Sequence, residues 1–217
     1  MIDCTNVKKI VEEFAQEIIS GKLNILCYRS GLKFDIFGMD NFAGAPFLML
    51  NNGDKKWSSF DCLLNDPALQ TDRHSLNWFC FAYRYASEYL QLYRKQIFEN
   101  TRKILDRVPK RLFNPLSLYR IIPIEESAIA SFIDIKVSGP FHKIRASVCV
   151  GGELYLKGME AGQPIFYRRS IGFSHANFGM LFDENYSTLR LTVGLDPAQI
   201  ELFADCFQEI DRLNDVK

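Results

Sequence analysis

Between Ser75 and Val108 the chain reads SLNWFCFAYRYASEYLQLYRKQIFENTRKILDRV, with neither a glycine nor a proline. A run that long without a breaker predicts a helix. Its apolar and aromatic residues recur at 78, 82, 85, 89, 93, 97, 104 and 108, mostly in steps of four, and so form a stripe along one face. Taken as one helix, these 34 residues extend about 51 Å at 1.5 Å per residue. Asp72 or Ser75 caps the start and Pro109 ends the run. An element of this size organises whatever packs beside it, and the segments on either side read mostly as strands.

Upstream, residues 5–20 place Val7, Ile10, Val11, Phe14 and Ile18 on one helical face, with Thr5 or Asn6 as cap and Gly21 as stop. LNILCYRS and LKFDIFG alternate around a Ser30-Gly31 turn and predict a hairpin. PFLMLNNGDKKWSSF predicts another, turning at Asn52-Gly53. Downstream, YRIIPIEE, IASFIDIKV, FHKIRASVCV, ELYLKG, PIFYRRS and STLRLTVGL each read as strands, with Gly151-Gly152 among the turns between them. Asp196-Pro197 opens a final helix with Ile200, Phe203, Ala204, Phe207 and Ile210 on its apolar face. The expected class is α+β: an N-terminal helix with hairpins, a long central helix, and a C-terminal antiparallel sheet closed by a helix. One domain or two is left open; a boundary would fall near Val108–Leu112, dividing residues 1–108 from 109–217. Eighteen phenylalanines supply ample core, each ring contributing roughly 1.5–3 kcal/mol when fully buried.

Charge is balanced overall, 26 Lys and Arg against 26 Asp and Glu, so no global field draws the chain to nucleic acid or to a membrane. Its distribution is uneven. Residues 84–120 carry nine basic and three acidic side chains, and residues 183–217 carry eight acidic and three basic ones. Either the two segments neutralise each other or the first is a basic binding surface. The candidate residues are Arg94, Lys95, Arg102, Lys103, Arg107, Lys110 and Arg111, interleaved with tyrosines that could stack on bases while the cations meet phosphates. A second candidate surface is PIFYRRSIGFSHANFGMLF, rich in rings and poor in acids, with Tyr167, Arg168 and Arg169 at its centre.

Signals for catalysis are sparse. Asp134-Ile135-Lys136, on a predicted strand, resembles the last element of the PD-(D/E)xK nuclease pattern. That resemblance implies two carboxylates on a divalent metal and a lysine that positions or activates water. Glu125 or Glu126 would supply the second carboxylate, with Glu88 or Glu99 as a further acid from the preceding helix. It covers three residues only. No Pro-Asp dipeptide precedes it, and a strand is predicted next where that fold places a helix. A half-exposed strand with Asp134 and Lys136 on its wet face explains the same alternation. His74, His142 and His175 have no His or Cys at ligand spacing. A Cys149 pair with His142 or His175 would have to form in space. Neither GxGxxG nor GxxxxGK[ST] occurs. The six cysteines are all at least 18 residues apart, which argues for reduced thiols and a cytoplasmic protein. The N-terminus turns acidic and polar too early for a secretory signal, and no apolar run nears the roughly 20 residues that span a bilayer.

The expectation is therefore a non-catalytic intracellular binding protein: a subunit, adaptor or inhibitor with a protein partner, no cofactor and no metal. The first alternative is a nucleic-acid-binding subunit using the basic stretch 84–111. The second is a metal-dependent nuclease using Asp134, Lys136 and Glu125. The oligomeric state is not specified.

Overall fold

A computed structural model of the chain describes residues 10–28, 44, 47–122, 131–168, 173 and 175–215. They form an α+β protein whose contacts gather into two compact units, Met1–Ser87 and Glu88–Lys217. The division falls inside the breaker-free stretch rather than at Pro109. The second strand expected for the first hairpin (LKFDIFG), Glu125, Glu126 and Arg169 lie outside the described residues.

In the first unit, α1 (Ala15–Ile19) leads to β1 (Ile25–Tyr28), which pairs antiparallel with β2 (Phe47–Leu50). The hairpin predicted across Asn52-Gly53 does not form. Asn51 Oδ1 accepts from the Gly53 amide at 2.8 Å, Asn52 Oδ1 from Asp54 at 3.1 Å, and Asp54 Oδ1 from Lys56 at 3.4 Å. These successive side-chain turns bend the backbone into a 3-10 turn (Lys55–Trp57) and then α2 (Ser58–Leu64), so local side-chain bonding wins over strand alternation.

The single long helix is also corrected. The stretch forms α3 (Arg73–Tyr85), capped by Asp72 on the Ser75 amide at 2.9 Å, and α4 (Ser87–Leu105), with a break at Ala86 (φ −123°, ψ 18°). The buried residues are Ser75, Phe79 and Ala82 in α3 and Leu90, Tyr93, Ile97, Asn100, Thr101 and Ile104 in α4. Tyr85 and Tyr89, expected in the core, are exposed, whereas Ala82, Tyr93, Ile97 and Ile104 are buried.

The second unit is built on a five-stranded sheet ordered β3-β4-β7-β6-β5, from β3 (Tyr119–Ile121), β4 (Ile133–Ser138), β5 (Phe166–Tyr167), β6 (Asn177–Phe182) and β7 (Tyr186–Thr192). All pairings are antiparallel except β5 with β6. Ile133, Ile135 and Val137 sit opposite Leu191, Leu189 and Ser187 on the buried face, while Asp134, Lys136 and Ser138 share the half-exposed face with Arg190, Thr188 and Tyr186. This period-two alternation was readable in the sequence. The β3 edge is covered by one side chain: Asn214 accepts from the Tyr119 amide at 3.0 Å and donates to its carbonyl at 3.1 Å.

The largest departure from expectation lies between β4 and β5. FHKIRASVCV and ELYLKG are not strands. They make one continuous helical stretch: α5 (His142–Ile144), a π-helical segment (Arg145–Gly151) and α6 (Gly152–Glu160). His142, Ala146, Val150, Leu154 and Gly158, four apart, are its buried residues, together with Gly151. On a pure α-helix a spacing of four drifts about 40° per step, so such a row would wind away from the sheet. The wider π turns wind more slowly and keep the row facing the core. Two glycines permit close packing. A Cβ at Gly158 would lie 2.8 Å from the Gln163 carbonyl oxygen and 2.8 Å from the Ile165 nitrogen, and one at Gly151 would lie 3.0 Å from the Met180 methyl.

The final helix α7 (Gln199–Arg212) matches expectation, with Asp196 Oδ1 accepting from the Ala198 amide at 2.9 Å. Ile200, Phe203, Cys206, Phe207 and Ile210 join the core with Ile104, Leu154 and the sheet. Asn100 of α4 is buried and donates to the carbonyls of Gly194 (3.2 Å) and Leu195 (3.1 Å), fastening α4 to the loop before α7.

Candidate functional site

The basic segment and the acidic C-terminal helix meet at two residues. Arg107 pairs with Glu201. Arg111 donates to Asp211 Oδ1 at 2.8 Å, to Asp215 Oδ1 at 2.5 Å and to Asp215 Oδ2 at 3.2 Å, and reaches the Asp211 carbonyl as well. These hydrogen bonds raise the Arg111 pKa and hold the Asp215 carboxyl below its ordinary range. Lys95 faces Glu99 one turn away at 3.6 Å, an exposed pair of small energetic weight. Arg94 is half-buried and partnered. Arg102, Lys103 and Lys110 are exposed and have no ion-pair partner among the described residues. Tyr93, one of the rings proposed to stack on bases, is buried.

At the acid-x-Lys tripeptide, Asp134 and Lys136 stand on the half-exposed sheet face, and both are engaged. Asp134 receives Arg190 in a two-pronged pair, Nε to Oδ1 at 2.8 Å and Nη2 to Oδ2 at 2.7 Å. That pairing raises the Arg190 pKa. Lys136 Nζ lies 3.7 Å from the centre of the Tyr186 ring. A helix does follow this strand, contrary to the predicted strand and in keeping with the nuclease pattern. Still, a carboxylate whose two oxygens are both held by a guanidinium offers a metal little. Among the described residues no group of three His, Cys, Asp or Glu is placed to hold an ion.

The histidine and cysteine candidates are not brought together. His142, in a helix rather than a strand, is buried with Nδ1 2.8 Å from Ser187 Oγ and Nε2 3.1 Å from the Glu184 carbonyl oxygen. A carbonyl only accepts, so Nε2 carries a proton and donates to it. Cys149 instead lies beside Tyr119, whose hydroxyl is pushed up to about 12, first by burial and then by that thiol. Cys206 is likewise pushed up to about 12 by burial, the signature of an inert thiol.

The aromatic surface is open. Phe166 (47%), Tyr167 (52%), Leu181 (59%) and Phe182 (53%) are about half exposed on β5 and β6, and Arg168 beside them is exposed. The Tyr167 ring leans on Phe178, 5.9 Å between centroids, and the Phe166 ring on Tyr155 at 6.4 Å. Tyr167 is therefore seated on the core ring Phe178, whereas Phe166 rests on Tyr155, itself exposed. β5 is also an edge strand of the sheet. The sequence pattern singles out this segment by composition, but it does not show β6, and it hides the exposed face of the neighbouring helix because FHKIRASVCV and ELYLKG read as strands.

In the first unit, Lys22, Leu23, Asn24, Leu26, Met49, Trp57 and Phe60 line an apolar cleft of about 430 Å³. Asn24 spans it, donating to Met49 Sδ at 3.8 Å. No helix among the described residues is long and apolar enough to cross a membrane. Compared with protein-family models, curated proteins and solved structures, the chain matches none of them.

Proposed function

We propose that this protein is a non-catalytic binding protein, a subunit or adaptor that docks another protein chain on the β5–β6 surface. The observation that carries this reading is the half exposure of Tyr167 and Phe182 on one face of the β5–β6 edge and of Phe166 and Leu181 on its other face. The core beneath them is already filled by Phe178, Leu189, Leu191, Phe203 and Phe207. Rings supported from below and open above are what interface anchors need, because little side-chain freedom is lost when a partner covers them. Arg168 adds a cation at the rim. The free thiols of Cys27, Cys62, Cys80, Cys149 and Cys206 support a reducing, cytoplasmic setting.

The test is capture by tagged protein from cells that make it, wild type beside a Tyr167→Glu/Leu181→Glu/Phe182→Glu variant of unchanged circular dichroism. A stoichiometric protein retained by the wild type and lost by the variant is expected. Absence of any partner, or one indifferent to the triple change, refutes the reading.

A second reading, nucleic-acid binding, rests on the open cations Arg102, Lys103 and Lys110. With Arg107 and Arg111 engaged by acids, few phosphate contacts remain, so any affinity would be weak and steeply reduced by salt. Titration of single- and double-stranded oligonucleotides at low ionic strength decides it: no binding there removes this reading.

A further inference from the structure

The helical stretch 142–160 has an outer face as well as an inner one. Ile144 (60%), Val148 (65%) and Leu156 (58%) are widely exposed, Tyr155 and Met159 flank them, and Phe141 (73%) stands at the head. One feature of this face has no explanation among the described residues. Gly152 sits mid-helix with ordinary helical backbone (φ −64°, ψ −45°), and a Cβ there would meet no described atom within 4 Å. Glycine is among the poorest helix formers, and here its own fold does not require it. Phe141 holds a left-handed backbone (φ 59°) in the turn that the His142 amide closes on the Gly139 carbonyl, and this turn leaves its ring in water.

We propose that this face is the contact of a homodimer in which two copies of the stretch cross antiparallel, with the two-fold axis at Gly152. Each residue then meets the one equally far beyond Gly152 on the other copy. Val148 packs on Leu156, and Ile144 packs on Met159 and Glu160. The missing Cβ lets the two backbones approach at the crossing, where a side chain would hold them apart. Charge selects the occupant. Lys143 stands exposed at the head of the stretch and Glu160 exposed at its tail, while Arg145 is half-buried and acts on Tyr119. The other two charges, Glu153 and Lys157, are half-buried on the side of α7, where both act on the Cys206 thiol. An antiparallel crossing sets the basic head of each copy against the acidic tail of the other, twice, so the surface complements itself as an isologous contact must. A parallel crossing would oppose like charges.

This inference goes beyond the docking of a foreign protein at β5–β6; here the partner is the chain itself. The experiment is sedimentation velocity from about 1 to about 100 μM, the range that resolves micromolar association. The expected species has twice the chain mass of 25.0 kDa. Val148→Glu and Gly152→Ala should each weaken association at least tenfold with unchanged circular dichroism. Lys143→Glu should weaken it, and Glu160→Lys added to it should restore it. Gly152→Cys should form an interchain disulfide on oxidation, whereas Leu116→Cys, on an exposed loop, should not. A monomer at every concentration, or a dimer indifferent to Val148→Glu and Gly152→Ala, overturns the proposal. Because the readout is the protein's own mass, either result leaves the β5–β6 reading standing or falling on its own capture experiment.

Discussion

Gly152 and Gly158 lie six residues apart in one helix, and alanine at each should move stability in opposite directions. At Gly152 the new methyl enters open space, so only helix propensity acts, a gain of up to about 1 kcal/mol. At Gly158 the same gain is opposed by a methyl 2.8 Å from the Gln163 carbonyl oxygen and 2.8 Å from the Ile165 nitrogen. Both are backbone atoms, and the Ile165 side chain they precede is fully buried, so the returning chain cannot give way cheaply. Overpacking of this kind costs about 1–3 kcal/mol, and the rigid neighbours place it at the upper end, leaving a net loss of roughly 2 kcal/mol. For a unit of this size, 1 kcal/mol is about 3–5 °C in Tm. Gly152→Ala should therefore raise Tm by a few degrees and Gly158→Ala lower it by about 6–10 °C. The assay is thermal and urea unfolding by circular dichroism, with both changes made in the Val148→Glu background so that association does not enter. A neutral Gly158→Ala would refute the close approach of residues 163–165 to the helix. A destabilising Gly152→Ala would show that the chain itself covers that position.

Phe207→Ala should cost about 3–5 kcal/mol, since the ring is fully buried beside Phe203 with centroids 6.5 Å apart; urea unfolding measures it, and a loss under 1 kcal/mol would contradict this core. Cys62 and Cys80 should react with iodoacetamide in the native protein while Cys206, raised to about 12 by burial, reacts only on unfolding; mass mapping of the alkylated peptides checks this. The Asp215 carboxyl titrates below its unfolded value, so its pairing with Arg111 stabilises fully above that unfolded value and is lost as pH falls through the lower folded one. The Tm advantage of wild type over Arg111→Gln should accordingly be full near neutrality and shrink on acidification below the ordinary aspartate range of about 4; an advantage constant from neutral to acid pH would refute the assignment.

The α+β class, the alternation of β4 and β7, and the apolar face of α7 could all be read from the chain, because in each the pattern is local: period two for a strand half-buried on one face, and steps of three and four for a helix. The engagement of basic residues by the acidic C-terminal helix was legible as one of two outcomes, since charge counts show that segments can pair without showing which residues do. Arg107 and Arg111 pair because α7 passes within reach of them; Arg102, Lys103 and Lys110 do not.

Three features were decided only by the tertiary structure. Nothing local marks the break at Ala86, which falls in a stretch free of glycine and proline. Residues 142–160 looked like two strands around a glycine turn. Their buried row repeats every four residues, a spacing that a strand would also keep on one face, so the sequence could not tell it from the helical row that the π-helical turns hold against the sheet. The meaning of each glycine likewise depended on what stands opposite it, returning backbone at Gly158 and open space at Gly152, and a sequence carries no account of the neighbours a missing side chain would have met.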